Sequence, residues 1–124
     1  MSKDVKVVHL EDEGALKDVI KELVGILERD IDLIQFSTSA EVLDYVQTEQ
    51  DIALFILDVR VPGQMDGMQL AEKLREIGFT CPIAIASAYM EPDIEWLNKW
   101  DCHYFPKPLH ALHLQTKILP LARQ

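Results

Sequence analysis

Cysteine is scarce in this chain. Cys81 and Cys102 are the two among 124 residues, and they form no Cys-x-x-Cys pair and stand among no spaced histidines. The pattern offers neither a disulfide framework nor a zinc site, and reads as two reduced thiols in a cytosolic core. Long hydrophobic runs are missing as well. The longest, Ile52 to Leu57, is about six residues, against the ~20 that a membrane-crossing helix needs. Met1 runs directly into Ser-Lys-Asp-Val-Lys with no apolar stretch, so no signal peptide is expected and the expected location is the cytoplasm. Positive charge is in short supply: 12 Lys and Arg face 21 Asp and Glu, a formal net charge of -9. Affinity for nucleic acid rests on Lys and Arg at phosphates, so direct binding of DNA or RNA is disfavoured. No repeat, low-complexity tract or linker interrupts the chain. Its length suits one domain with one core, spanning 1–124 with no output domain visible.

What the chain does have is an alternation of short apolar runs with stretches of helical period. Val5–Leu10 is β-branched, and Glu13 to Arg29 follows with Leu16, Ile20, Leu23 and Leu27 on one helical face. Asp32–Phe36 is a weaker strand, and Ser37-Thr38-Ser39 offers a cap for a helix over Ala40–Thr48. Ile52–Leu57 is apolar throughout, and a loop with Pro62 and Gly63 leads to a helix carrying Leu70, Ala71, Leu74 and Ile77, closed by Gly78. Pro82–Ala86 and Cys102–Phe105 are the last two strands. They flank a helix opened by Glu91-Pro92-Asp93, and a final helix covers Leu109–Ala122. Strands alternating with helices predict an α/β fold, a parallel sheet covered on both faces. The first, third and fourth strands are almost wholly apolar, while the second and fifth carry Asp32, Gln35 and His103. Three interior and two edge strands fit the doubly wound order 2-1-3-4-5.

Five short pieces fall where these strands end: Glu11-Asp12, Asp58, Ser87, Tyr104 and Lys107-Pro108. In an open parallel sheet, chemistry collects at that edge. Three carboxylates crowded there repel one another unless a cation neutralises them. Mg²⁺ takes hard oxygen ligands and keeps several waters, so Asp12 and Asp58 are candidate direct ligands and Glu11 one acting through water. The plainer alternative for Glu11-Asp12 is that they cap the next helix at its positive end. Asp58 closes an apolar strand and precedes a loop, which makes it the candidate nucleophile for a phosphoryl group, with an aspartyl phosphate as product. Lys107 supplies a compact cation for the transferring charge, and Pro108 restricts the Lys107 backbone to extended conformations. The Ser87 hydroxyl is a hydrogen-bond donor to a phosphoryl oxygen, or else an ordinary turn serine.

Taken in order, Leu-Glu-Asp-Glu at 10–13, Ile-Leu-Asp58, Ser87-Ala88 and Tyr104-Phe-Pro-Lys107-Pro108 resemble the receiver domain of two-component response regulators over the whole chain. The resemblance implies that Asp58 is the phosphoacceptor, Lys107 the lysine of the site, and Ser87 and Tyr104 the switch pair. It implies a site for Mg²⁺ or Mn²⁺ made by Glu11, Asp12, Asp58 and the Arg60 backbone carbonyl. The implied partners are a histidine kinase or phosphotransfer protein upstream, and a downstream protein or a second copy of the chain. The implied output surface is the fourth helix, fifth strand and last helix, in a domain that promotes its own phosphorylation and dephosphorylation without being an enzyme on a separate substrate. Two departures stand out. Val61-Pro62 precedes Gly63-Gln64-Met65-Asp66-Gly67, one residue longer than the family pattern, and Lys99-Trp100-Asp101 replaces a small residue before the fifth strand.

Other readings share the fold. An FMN-binding flavodoxin-like protein needs a first loop that attracts phosphate, which Glu11-Asp12-Glu13 opposes. A dehalogenase-type phosphatase needs a second acid two residues after its nucleophile, where Arg60 stands. A pseudo-receiver, binding partners without phosphorylation, is the remaining alternative. Trp96 and Trp100 lie four apart and read as core or as partner surface, with Ile94 and Leu97 as other core candidates. The last helix has two apolar stripes, Leu109/Leu112/Leu119 and Leu114/Ile118/Leu121; the expectation is that the second is left exposed for a partner.

Overall fold

The computed structural model describes residues 5–124; the first four residues of the domain expected over 1–124 lie outside the described residues. The strands are β1 (Val5–Leu10), β2 (Ile31–Phe36), β3 (Leu54–Asp58), β4 (Ile83–Ser87) and β5 (Cys102–Pro106). Between them run helices α1 (Gly14–Leu27), α2 (Ser39–Val46), α3 (Gly67–Glu76) and α4 (Ile94–Trp100). All pairings are parallel and the order is β2-β1-β3-β4-β5. The doubly wound sheet expected from apolarity is the one observed. No helix of the described residues is long and apolar enough to cross a membrane.

Every residue of β3 and β4 is buried, as central strands covered on both faces must be. Pleating then divides the side chains between two cores. Val8, Leu10, Phe55, Leu57, Ile83, Ile85 and Cys102 pack with α2 and α3, while Val7, Leu54, Ile56 and Ala84 pack with α1 and the final helical segment. Register carries the same alternation to the carboxyl edge. Leu10 pairs with Leu57, Asp58 with Ala86, and Ser87 with Pro106. Glu11 and Asp58 therefore step off β1 and β3 at one level, with Ser87 one residue and Lys107 two residues further along β4 and β5. Counting by twos, Glu11, Asp58 and Lys107 lean toward the α1 side, and Ser87 and Tyr104 toward the α4 side.

Local chemistry sets the helix starts. Thr38 caps α2 and Asp66 caps α3, each in a reciprocal box with Glu41 and Gln69. Gly63, at φ 104°, occupies backbone space that a side chain disfavours, in the loop after Asp58. Gly67 answers a different need. Its N–H donates to the Val59 carbonyl at 3.0 Å, and a Cβ there would overlap the carbonyl of Asp58. The loop is thus drawn back against the acceptor strand.

The C-terminal segment corrects the sequence reading. A single regular helix was expected over Leu109–Ala122. Instead one α-turn at Ala111–His113 widens into a π turn over Leu114–Ile118 and tightens into 3-10 geometry over Leu119–Arg123. Pro120 is the physical reason at hand: it lacks an N–H for the ladder and its ring crowds the preceding turn. The wide turn changes the phase of the segment, so Leu114, Ile118, Leu119 and Leu121 are all buried and Leu112 is the exposed one. The stripe Leu114/Ile118/Leu121 is core, not partner surface. Ile94 likewise lies in solvent rather than in the core, while Trp96, Leu97 and Trp100 are half-buried against the α2–α3 side.

Truncation of a fully buried aliphatic side chain leaves a cavity, so Ile118→Ala is expected to lower stability by ~2–5 kcal/mol. Urea denaturation measures it, and a loss under about 0.5 kcal/mol would return the stripe to the surface.

Candidate functional site

Glu11 and Asp58 are both buried at the end of β1 and β3, and Asp12 is exposed beside them. One carboxylate oxygen from each lies within 4.8 Å of the others. The Lys107 ammonium donates to Glu11 Oε1 at 2.7 Å and to Asp58 Oδ2 at 3.0 Å. Glu11 also performs part of the capping role weighed against metal binding, since its other oxygen accepts the Glu13 N–H at 3.2 Å, at the start of α1. Asp58 Oδ1 accepts the Arg60 N–H at 3.2 Å, which folds the following loop over the acid. The peptide between Lys107 and Pro108 is cis.

Charge balance at this edge is poor. Burial raises the Asp58 carboxyl, Lys107 opposes that, and the neighbouring Glu11 charge raises it again; the result is a value pushed up to about 6. Burial works to lower the Lys107 ammonium, but its hydrogen bonds to Glu11 and Asp58 outweigh burial and the net shift is upward. One cation faces two buried carboxylates with a third at the rim. The donor set is all hard oxygen in a compact cluster, which fits a divalent ion of the Mg²⁺ type. Glu11, Asp12 and Asp58 are the side chains that would hold it, and its contribution there would be neutralisation of negative charge.

On the α4 side, Ser87 is buried and its Oγ accepts the N–H of Tyr89 at 3.3 Å and of Met90 at 3.1 Å. Its carbonyl accepts the Tyr104 hydroxyl at 3.3 Å and the Lys107 N–H at 3.0 Å. The hydroxyl proton of Ser87 therefore remains available to a ligand. Arg60 and Tyr89, two residues beyond Asp58 and Ser87, meet each other: the guanidinium carbon lies 5.1 Å from the ring centroid.

All seven residues singled out from sequence, Glu11, Asp12, Asp58, Arg60, Ser87, Tyr104 and Lys107, lie around this edge. Sequence reasoning missed three others. Gly67 is needed for close approach to Asp58, and its signal was the Asp-Gly start of a capped helix. His9 is buried behind Glu11 and held to Gln35 at 3.0 Å; burial pushes its imidazole down to about 4 against the pull of Glu11. Arg75 binds the carbonyls of Trp100, Phe79, Cys81 and Asp101 at 2.7–2.9 Å. That clamp holds Asp101 at φ 53° and explains the departure seen at Lys99-Trp100-Asp101. At the opposite edge of the sheet, a hollow of about 450 Å³ is lined by Gln50, Ile52, Ile77 and Phe79. Its one reactive type is Cys81, whose thiol burial pushes up to about 11, so the chemistry belongs to the carboxyl edge.

A doubly wound sheet with acids, hydroxyl and lysine at its carboxyl edge defines a class, and the comparisons give the family. Residues 7–119 match the model of the response regulator receiver domain, and the chain belongs to that family. Over 83 residues it is 30% identical to the transcriptional regulatory protein TctD of Salmonella typhimurium, covering 65% of this chain and 37% of that protein. Over 123 residues it is 26% identical to response regulator RppA of Synechocystis, covering 97% and 51%. The chain thus spans about half the length, or less, of these curated relatives. Among solved structures, a response regulator receiver domain from Clostridium thermocellum superposes with a TM-score of 0.81 at 22% identity, covering 97% of this chain and 95% of that one. The BeF3-activated receiver domain of Klebsiella pneumoniae RstA gives 0.78 at 23%, covering 96% and 99%.

A divalent ion held by Asp58 would compete with the proton that this carboxyl takes up below about pH 6. Mg²⁺ affinity is expected to fall by up to about tenfold per pH unit below that value and to level off above pH ~7. Calorimetry across this range reads it; an affinity unchanged from about pH 5 to 7.5 would remove Asp58 from the ligand set.

Proposed function

We propose that the chain is a phosphoacceptor of a two-component relay, taking a phosphoryl group on Asp58 from a phosphohistidine of a kinase or phosphotransfer protein in the cytoplasm. A carboxylate oxygen of Asp58 forms the new P–O bond as the P–N bond of the donor breaks, and the imidazole leaves with the electron pair. Residues 1–124 constitute the receiver unit. The observation that carries this reading is the Lys107 ammonium bonded to both Asp58 and Glu11, at 3.0 and 2.7 Å, beside a third acid. Lys107 moves its hydrogen bonds to the phosphoryl oxygens as charge builds on them, and the free hydroxyl proton of Ser87 supplies another donor. Asp12 and Asp58, with Glu11 and the Arg60 carbonyl, would hold Mg²⁺ or Mn²⁺, and such an ion would supply neutralisation of negative charge there.

Signalling then follows as a population shift. Ser87 turns inward, and Tyr104, whose hydroxyl rests on the Ser87 carbonyl at 3.3 Å, repacks with it. The readout is a changed protein-binding face at the fourth helix, fifth strand and the exposed side of the final segment, met by a downstream protein or a second copy of the chain.

Incubation of the full chain with acetyl phosphate and Mg²⁺, read by intact mass, is expected to add one phosphoryl group, and Asp58→Asn to add none. An equal adduct on Asp58→Asn, or none on the wild type, would overturn the reading, the second outcome in favour of a phosphorylation-independent binding module. A second expectation concerns lifetime. Arg60 and Tyr89, two residues beyond Asp58 and Ser87, are bulky enough to shield the acceptor from water, so the Arg60→Ala/Tyr89→Ala double variant should lose its phosphoryl group several-fold faster. Unchanged decay contradicts that shielding.

A further inference from the structure

The segment between β4 and α4 carries an apolar surface that packing does not explain. Tyr89 is 81% exposed, Ile94 68% and Met90 47%. Scattered exposed apolar residues are ordinary, but three large ones within six positions concentrate apolar surface in one short segment, termed the patch. Glu91, Asp93 and Glu95 are all exposed among them. The patch is thus apolar with an acidic rim, on a chain of net charge -9.

One cation already sits on this patch. The Arg60 guanidinium carbon lies 5.1 Å from the Tyr89 ring centroid, within the range of a cation–π contact. Arg60 is also tied to the acceptor, since its N–H binds Asp58 Oδ1 at 3.2 Å. Arg60 and Met90 line one open depression together with Asp12. Arg60 is thus in contact with the Tyr89 ring through its guanidinium and with Asp58 through its backbone.

We propose that the Tyr89 ring is the docking point for a basic, apolar segment of a partner protein, and that Arg60, a cation already over one face of the ring, competes with that segment until a phosphoryl group on Asp58 draws the guanidinium away. The proposal rests on the phosphoacceptor reading above. An exposed cation–π contact is weak, whereas a charge-assisted, two-pronged hydrogen bond from arginine to a phosphoryl group is among the stronger polar contacts. Arg60 therefore exchanges the ring for the phosphoryl oxygens. A partner arginine or lysine then takes its place on Tyr89, its apolar neighbours cover Met90 and Ile94, and its basic border meets Glu91, Asp93 and Glu95. A second copy of this chain is a poor occupant, because acidic rim would face acidic rim.

The surroundings allow the patch to respond. The Tyr89 and Met90 N–H groups are bonded to Ser87 Oγ, at 3.3 and 3.1 Å, so a shift of that hydroxyl moves both residues. The far end of α4 is anchored where Arg75 binds the Trp100 carbonyl at 2.7 Å, and its first turn is tied to α3 by the Trp96 indole, which donates to Glu72 at 2.8 Å. The near end has no side-chain cap at Asp93.

The test uses the full chain at neutral pH and two synthetic helical peptides, one of arginine and leucine at amphipathic spacing and one with glutamate in place of arginine. Amide NMR shifts are followed with and without Mg²⁺ and beryllofluoride as the phosphoryl mimic. The basic peptide is expected to shift the amides of residues 89–95 and to bind the beryllofluoride form about threefold more tightly, while the acidic peptide does neither. Arg60→Ala is expected to reach that tighter affinity without beryllofluoride, and Tyr89→Ala to lose the gain. Unchanged affinity in unmodified Arg60→Ala, or shifts falling outside residues 89–95, overturns the proposal. A gain in Arg60→Ala without any response of the wild type to beryllofluoride overturns the gating. In that case acetyl phosphate labelling of the wild type tells whether Asp58 or Arg60 was misassigned. Concentration-dependent dimers of Arg60→Ala without peptide would assign the patch to a second copy and overturn the choice of partner.

Discussion

Two buried carboxylates share one lysine, and much of the molecule is arranged around that imbalance. Glu11 and Asp58 are held out of water, where an unpaired charge is costly, and Lys107 answers both. The lysine cannot neutralise two acids, and the exposed Asp12 makes the local sum more negative. The cost appears as an Asp58 carboxyl pushed up to about 6. A site left in that state is receptive to positive charge, whether proton or divalent ion. It also sets a condition on its supports: β1, β3 and β5 must hold the residues in register, and Gly67 must let the next loop close against the acceptor.

The sheet also divides this edge in two. Pleating sends Glu11, Asp58 and Lys107 toward α1, and Ser87 and Tyr104 toward α4. Ser87 joins the two sides. Its carbonyl takes the Lys107 N–H and the Tyr104 hydroxyl, and its own hydroxyl takes two loop N–H groups. A displacement of one serine is therefore felt in the strand that carries the lysine and in the loop that leads to α4. These hydrogen bonds form one contiguous set from the strand that carries the lysine to the loop that leads to α4.

Much of this was legible in the sequence because it is written in short-range patterns. Apolar runs gave the strands, the polarity of β2 and β5 gave the edges, and residues at strand ends gave the site. What was illegible depended on geometry between elements. The π turn over Leu114–Ile118 rephased the final segment, so a stripe that looked redundant on a regular helix proved to be core. Arg75 looked like one more helix-end cation until the carbonyls of two loops converged on it. Gly67 carried a spacing signal but not its cause, which is the nearness of the Asp58 carbonyl. Ile94, read as core, faces solvent because α4 contacts the body through Trp96, Leu97 and Trp100 instead.

The central claim is that Asp58 is a charge the fold holds at a cost. Its value in the folded chain, about 6, lies above the ordinary 3.8. The folded state therefore binds the proton more tightly than the unfolded state, and stability falls as pH rises from about 4 to about 6, the whole penalty being present above that. Chemical denaturation of the wild type and Asp58→Asn in a chelator at neutral pH measures this directly. Asp58→Asn is expected to be more stable by about 1–3 kcal/mol, with the difference shrinking toward pH ~4. A variant equally or less stable at neutral pH would mean that Lys107 fully compensates Asp58, and would contradict the charge-strained site.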